Sequence, residues 1–500
     1  MAPPGTRSPR RWLALAALTL SVLIIGLDGT VITVALPTLA RDLGASAAEL
    51  QWINGGYLLA LSVALLPAGK LGDRFGQKRL LLAGIALFGA ASLAGAFAAT
   101  TGQVIAVRAL LGLGAAAIMP LSMAILPRLF APDELSRAIA VWTAGTALGM
   151  PAGPLVGGWL LDSFSWGAVF LFNVPVAAAA LAAAAWLLPA DGPAGRAASG
   201  PFDLAGTLLG AAGITAVVYS TIRVPAAGWG DPAVLATLAG GAVLLVLFVR
   251  RQRRHPDPLV DVGLFAGRAF RWGALAAVFV NFAVMGLLFV VPQYLQDVLG
   301  GDALSTGLRV LPLIGGLMAA ATLSEALVPK LGARAVIAAG LVLLGGGALL
   351  GATTAPSDGY AFTAAWLSVA GLGFGLAMVP ATSLAVGALP AEGTGAGTSL
   401  LETVQQLGGV LGVAGLGSLL NAGYRSRLPA GAPAATRDSV AAANGDPAAL
   451  AAFVHGMDLV LAFCGATALA VAVLAAVLLP RRAPAPELPL PAPHPGQLPV

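Results

Sequence analysis

The sequence predicts an all-α polytopic membrane protein, and three observations carry the prediction. Apolar residues make up 58% of the 500-residue chain, charged residues only 10%, and the mean hydropathy is +0.89, whereas soluble domains carry about 25% charged residues. Fourteen stretches are long and apolar enough for a helix to cross a bilayer core, which takes about 20 residues. Basic residues gather on alternate loops between them. The 65 glycines and 35 prolines lie within long apolar runs, where membrane helices tolerate both, so a collagenous or disordered chain is excluded.

The first six expected spans cover 12–36, 51–69, 80–100, 104–126, 138–161 and 168–188. After a polar break with Asp191, Arg196 and Asp203, two more follow at 204–222 and 232–249. Six others cover 272–296, 304–328, 335–353, 361–387, 395–420 and 457–479. With the N-terminus placed inside, 20 of the 27 lysines and arginines fall on cytoplasmic segments, 6 fall outside, and Arg108 lies within a span. The densest basic loops hold Lys70, Arg74, Lys78 and Arg79 after span 2, and Arg250, Arg251, Arg253, Arg254, Arg268 and Arg271 after span 8. That asymmetry predicts a multi-pass protein of the cell inner (plasma) membrane with both termini cytoplasmic. The net charge of +5 is read as topology and contact with anionic lipid, not as nucleic-acid binding. Span 1 is too long and lacks a small-residue cleavage site, so it is expected to stay in the membrane.

Two six-span blocks read as a parallel duplication around the extra pair. Asp73-Arg74-Phe75-Gly76-Gln77-Lys78 is echoed by Pro329-Lys330-Leu331-Gly332-Ala333-Arg334, an offset of 256 residues from Gly76 to Gly332. In the fourth span of each block Gly112, Gly114 and Pro120 are echoed by Gly373, Gly375 and Pro380, at an offset of 260 for the prolines. Agreement within one helical turn argues for internal repeats, as in secondary transporters that bind substrate between halves. The expected organisation is a cytoplasmic N-terminus 1–11, a six-helix bundle 12–188, a linker 189–271 with two inserted helices and a basic loop, a second bundle 272–479, and a proline-rich tail 480–500 expected to be disordered. The outer loop 421–456 is read as loop with at most a short helix.

Chemistry has few carriers. Cys464 is the one cysteine and the three histidines fall outside the apolar runs, so a disulfide framework, a metal site and imidazole catalysis are not expected. No nucleophile paired with a base and no nucleotide-binding loop is visible, so neither an enzyme nor ATP coupling is expected. Ionisable groups inside spans are functional candidates by default. Asp28 in span 1 can exchange a proton with the aqueous side it faces, or be an outer-end carboxylate in a wet vestibule. Arg108 in span 4 stays charged and needs an anionic or carbonyl partner, in a coupling or a purely structural pair. Glu402 in span 13 has no opposite charge within a helical turn, and is read as a site for a cation or proton, or as a protonated carboxyl bonding another helix. Glu325, a few residues before Lys330, is read as a substrate contact or as one half of a gate ion pair.

Several segments resemble signatures of the major facilitator superfamily. Gly69-Lys70-Leu71-Gly72-Asp73-Arg74-Phe75-Gly76-Gln77-Lys78-Arg79 resembles its loop signature between spans 2 and 3. Leu110, Gly112 and Gly114 after Arg108 resemble its fourth-span signature, with Leu111 where glutamine is usual. Gly149-Met150-Pro151-Ala152-Gly153-Pro154-Leu155-Val156-Gly157-Gly158 is similar to the fifth-span signature of its antiporters. The Leu27-Asp28-Gly29-Thr30 to Pro37 stretch, with Thr33 in place of asparagine, and Ser165-Trp166 with Phe170-Leu171-Phe172-Asn173-Val174-Pro175, resemble its fourteen-span drug:proton antiporter branch.

The resemblance implies a proton-coupled exporter of amphipathic, often cationic, drugs that works by alternating access. Asp28 and Arg108 would couple protons, Glu402 and Glu325 would meet substrate, and the proton motive force would replace any cofactor. Gly69, Gly72, Asp73, Arg74, Gly76, Lys78 and Arg79 would form a cytoplasmic gate in which Asp73 makes and breaks ion pairs with Arg74, Lys78 and Arg79, or act as topology signals alone. Gly149, Gly153, Pro154, Gly157 and Gly158 would allow close contact and bending across the moving surface. Expected partners are small amphipathic molecules, protons and the bilayer, with a monomer as the expected state. A dedicated exporter of one secondary metabolite, an importer, and a transport-dead receptor or scaffold are the competing readings.

Overall fold

The computed structural model describes residues 10–43, 47–191, 203–256, 258–301, 303–355, 358–390, 394–429, 433, 440 and 446–479. Expectations made for the N-terminal tail, for Arg196, for most of the outer loop with Arg437, and for the proline-rich tail with Arg481 and Arg482 lie outside the described residues. Among the described residues the regular elements are helices.

The first block is α1 (Arg10–Leu43), α2 (Ala47–Phe75), α3 (Gln77–Ala96), α4 (Thr101–Leu129), α5 (Pro132–Ser163), α6 (Ala168–Leu171) and α7 (Asn173–Leu187). The inserted pair is α8 (Leu204–Ala227) and α9 (Pro232–Gln252). The second block is α10 (Arg268–Gln293), α11 (Ala303–Leu331), α12 (Ala333–Gly351), α13 (Tyr360–Gly387), α14 (Thr394–Arg427) and α15 (Pro447–Leu478). Each expected span falls on a helix, and the sixth is broken at Phe172 into α6 and α7. Among the described residues 12 helical stretches are long and apolar enough to cross a membrane, or 13 with α11, which bends by 40° near residue 321, taken as one span. The helix over the expected fifth span, α5, is not among them.

Local chemistry sets the helix ends. The Thr100 side chain accepts from the Gln103 amide while Gln103 Oε1 accepts from Ala99 N at 2.7 Å, a reciprocal cap on α4. Asp231 and Asp446 cap α9 and α15, each ahead of a proline in the first turn. Gly76 and Gly332, with φ of 107° and 81°, occupy the same place in the two blocks, the sharp reversal that starts α3 and α12. A side chain there would be strained, which explains why the echo retains this residue.

The packing repeats with the sequence. In the first block α1 packs on α5, α2 and α3 on α4, and α7 on α1 and α3. In the second block α10 packs on α14, α11 and α12 on α13, and α15 on α10 and α12. Across the halves α2 meets α14 and α5 meets α11, again equivalent pairs. Lipid tails give no hydrophobic drive for helix association, so close van der Waals contact carries these interfaces. The inserted α8 and α9 pack mainly on each other, and α8 also lies against α2 and α14.

Candidate functional site

Helix α1 is held between two unlike neighbours. On one face Gly26 meets Gly149 of α5 so closely that a Cβ on Gly149 would lie 2.8 Å from the Gly26 Cα and the Leu27 nitrogen. Thr30 Oγ1 donates to the Gly26 carbonyl at 3.0 Å and to the Gly149 carbonyl at 3.3 Å. Gly153 lies against Thr30 and Gly157 against Val31, while Gly158 faces open space; the Pro154 side chain lies outside the described residues. The fifth-helix glycines therefore tighten a contact inside the first half, rather than the contact across the moving surface expected from the sequence.

Asp28 projects from the other side of α1, since two residues on a helix are about 200° apart. It is 4% exposed and meets Arg108 of α4, which is fully buried. Arg108 Nη1 donates to Asp28 Oδ2, Arg108 Nε donates to the Ile53 carbonyl at 3.1 Å, and Asn173 Nδ2 donates to Asp28 Oδ1 at 3.0 Å. The guanidinium sits 4.2 Å over the Tyr57 ring. Arg108 Nη2 and the Tyr57 hydroxyl have no hydrogen-bond partner among the described residues. Burying a lone charge in a membrane is costly, and each charge here offsets the other. The geometry places Asp28 in a closed pair and not in a wet vestibule. Asn173 stands in the Phe170–Pro175 stretch that resembles the antiporter branch, where no role was read for it, and Tyr57 was not singled out by the sequence.

A cavity of about 320 Å3 lies between the halves, within the range of small-molecule sites. The first half contributes Gly26, Gly29 and Thr30 of α1, Tyr57 of α2 and Trp142 of α5, and the second contributes Asn281 and Phe374. Met119, Met123, Met285 and Met378, four of the chain's 8 methionines, line it. Thioethers are polarisable and adapt to varied ring shapes. Glu402 of α14 lines the same cavity beside Gln405 and Gln406. Its carboxylate is buried and has no ion-pair or hydrogen-bond partner among the described residues, unlike Asp28. Tyr57 belongs to both places, with its ring under Arg108 and a position in the cavity lining.

The end of the bundle predicted to be cytoplasmic is held shut by two latches. Asp73 Oδ1 accepts from Gly395 N at 2.8 Å and Oδ2 from Ala396 N at 2.7 Å, at the start of α14, where amides are unpaired and the helix dipole favours an anion. Gly69 and Gly72 keep α2 close to Ser399 and Leu121. The gate acid thus bonds a helix terminus across the halves, with Gln77 Nε2 adding a bond at 3.0 Å, in place of the ion pairs with Arg74, Lys78 and Arg79 expected from the sequence. Lys78 and Arg79 donate their backbone amides to Asp191 at 3.0 and 3.1 Å, Lys78 Nζ bonds the carbonyls of Ala185 and Leu188, and Arg74 lies over the Phe75 ring. Glu325 lies 3.7 Å from Arg137 of α5 and does not line the cavity, so of its two readings the geometry fits the ion pair and not the substrate contact.

Two further carboxylates escaped the sequence reading as sites. Asp191 organises the start of α3 as just described. Asp458, left at the edge of the expected last span, lies well inside α15 with Oδ1 buried and unpartnered among the described residues.

Comparison with known proteins agrees with this architecture. Residues 18–413 match the sequence profile described as Major Facilitator Superfamily. The chain is 36% identical over 412 residues to the tetracenomycin C resistance and export protein of Streptomyces glaucescens, covering 82% of this chain and 76% of that one. It is 36% identical over 454 residues to the multidrug efflux pump LfrA of Mycolicibacterium smegmatis, covering 90% and 89%. The crystal structure of the human organic anion transporter MFSD10 (TETRAN) superposes with a TM-score of 0.63 over 94% of this chain and all of that one, at 16% identity, a likeness of fold. The matched profile, the length of chain shared with these relatives and the repeated packing agree: this multi-pass membrane protein belongs to the major facilitator superfamily.

Proposed function

We propose that the chain exports amphipathic, mainly cationic, drugs across the cytoplasmic membrane in exchange for protons. The observation that carries the reading is the contrast in surroundings of two buried carboxylates. Glu402 faces the cavity between the halves with no cation among the described residues to neutralise it, so a bound drug cation would do so. Asp28 lies behind the cavity wall, paired with Arg108, where no drug has to reach it. Protonating Asp28 weakens its bond to Arg108 and loosens α1, and α1 and α5 move together because their glycines interlock. Release of Asp73 and Arg137 at the cytoplasmic end then opens the other side, as alternating access requires. The pliable methionine lining and the single carboxylate favour breadth of substrate, as the name of the multidrug relative suggests for that protein; the name of the tetracenomycin relative keeps a dedicated metabolite exporter as the second reading.

The test is uptake of a fluorescent lipophilic cation into inside-out vesicles with an acid interior. Wild type is expected to take up the dye only with the gradient. Asp28→Asn loses gradient-driven uptake, and Glu402→Gln loses cations about tenfold or more while sparing neutral drugs. Gradient-independent uptake by wild type would sink the proton reading. Equal loss of neutral and cationic drugs in Glu402→Gln would remove that residue from charge recognition.

A further inference from the structure

We infer that Asn173 is a positioning residue for the proton step: it holds the Asp28 carboxyl in place in both protonation states while Arg108 binds strongly in only one. This rests on the proposed proton coupling and extends it to a residue outside the signatures of the gate and of the fifth helix. Asn173 begins α7 after the break at Phe172, is 2% exposed, and donates Nδ2 to Asp28 Oδ1 at 3.0 Å. The two carboxylate oxygens are divided, Oδ2 to Arg108 and Oδ1 to Asn173.

The chemistry of the two partners differs. A guanidinium only donates, so a protonated carboxyl offers it one weakened acceptor and a hydroxyl it cannot accept from. A carboxamide both donates and accepts, so turning Asn173 about its last torsion presents Oδ1 to an Asp28 hydroxyl. Protonation therefore frees Arg108 from Asp28 without leaving the carboxyl unpartnered. The freed guanidinium keeps the Ile53 carbonyl and the Tyr57 ring, so the change is passed toward α2 and the cavity. Charged and titratable groups facing Asp28 among the described residues are Arg108 from α4 and Tyr57 from α2; α5 presents glycines and the backbone acceptor of Thr30 to the opposite face of α1, and α7 presents Asn173.

A bond to the ionised carboxylate is stronger than one to the neutral acid. Removing the amide therefore favours the protonated form and moves the proton-loading midpoint to higher pH by about half to one unit. The experiment reconstitutes the full chain in liposomes and records ethidium transport against pH, with ethidium affinity measured separately as a check on folding. Asn173→Leu is expected to raise the midpoint while keeping ethidium affinity within about twofold, and Asn173→Gln, which retains an amide, to return it toward wild type. Should Asn173→Leu fail to bind ethidium, Asn173→Ala removes the same donor with less bulk and carries the same expectation. A wild-type midpoint in the variants lacking the amide, alongside a pH-dependent wild type, overturns the role of Asn173. A wild type with no pH dependence overturns the proton reading itself.

Discussion

Two intramembrane acids of the same type do different work because of what surrounds them. Asp28 has Arg108 and Asn173; Glu402 has a cavity. Outside the membrane, Asp203 shows how a third acid is used only for structure. Burial raises its affinity for a proton, but hydrogen bonds from the Arg251 side chain, the Gly206 amide and Gln252 outweigh this and hold its carboxyl below the usual value of 3.8. Gln252 in turn accepts from Leu259 N at 2.7 Å, so the base of α8 and α9 is tied into one clip. A folded-state value below the unfolded one means the contribution is fully present above about pH 4 and is lost as pH falls through the lower folded value. With Arg251 partly in solvent, that contribution is about 1 kcal/mol. As pH drops below about 4, the thermal midpoint of wild type is expected to fall by more than that of Asp203→Asn, which should be lower at neutral pH; parallel curves would show that Asp203 contributes nothing.

At the scale of helices, the contact of α1 with α5 depends on the absence of side chains. A Cβ at Gly149 would meet backbone, at 2.8 Å from Gly26 Cα, whereas one at Gly158 meets nothing within 4 Å. Backbone cannot rotate away as a side chain can, so Gly149→Ala should destabilise the solubilised protein by about 2 kcal/mol. Gly158→Ala should be silent. Both are measured by thermal unfolding of purified protein, and equal behaviour of the two variants would mean that the contact is not a source of stability. The glycine signature was legible in the sequence, but the partner was not. Spacing of small residues marks a close approach without naming the helix that approaches.

Across the whole molecule the two gate latches sit at equivalent positions but use different physics. The start of α14 has no acid in its first turn and offers free amides to Asp73, whereas the first turn of α5 already carries Asp133 and Glu134. A carboxylate from α11 would be repelled there, and Pro329 stands where the repeat would place one; the second half uses Glu325 with Arg137 instead. That pair is 42% and 52% exposed and 3.7 Å apart, so its contribution is at most about 1 kcal/mol and fades with salt. The Asp73 bonds to two amides contribute about 2 to 3 kcal/mol. Spin-label distances between the ends of α2 and α14 should therefore shift toward separation of those ends by ~30-fold or more in population for Asp73→Ala and by less than about fivefold for Arg137→Ala. The reverse order would make the exposed pair the main latch.

Hydropathy, charge and reversal at glycine are local properties of the chain, so the helix positions, the echo between the two blocks, the acids within spans and the loop after span 2 were legible in the sequence, although 12 or 13 of the fourteen expected spans are long and apolar enough to cross a membrane among the described residues. The pairing of Asp28 with Arg108 and Asn173 across 80 and 145 residues, the lack of a partner for Glu402 among the described residues on a methionine-lined wall, and the pairing of Glu325 with Arg137 emerged from the fold. Periodicity reports which face of a helix is buried. Which side chain lies opposite depends on how helices distant in sequence cross, and no local pattern records that.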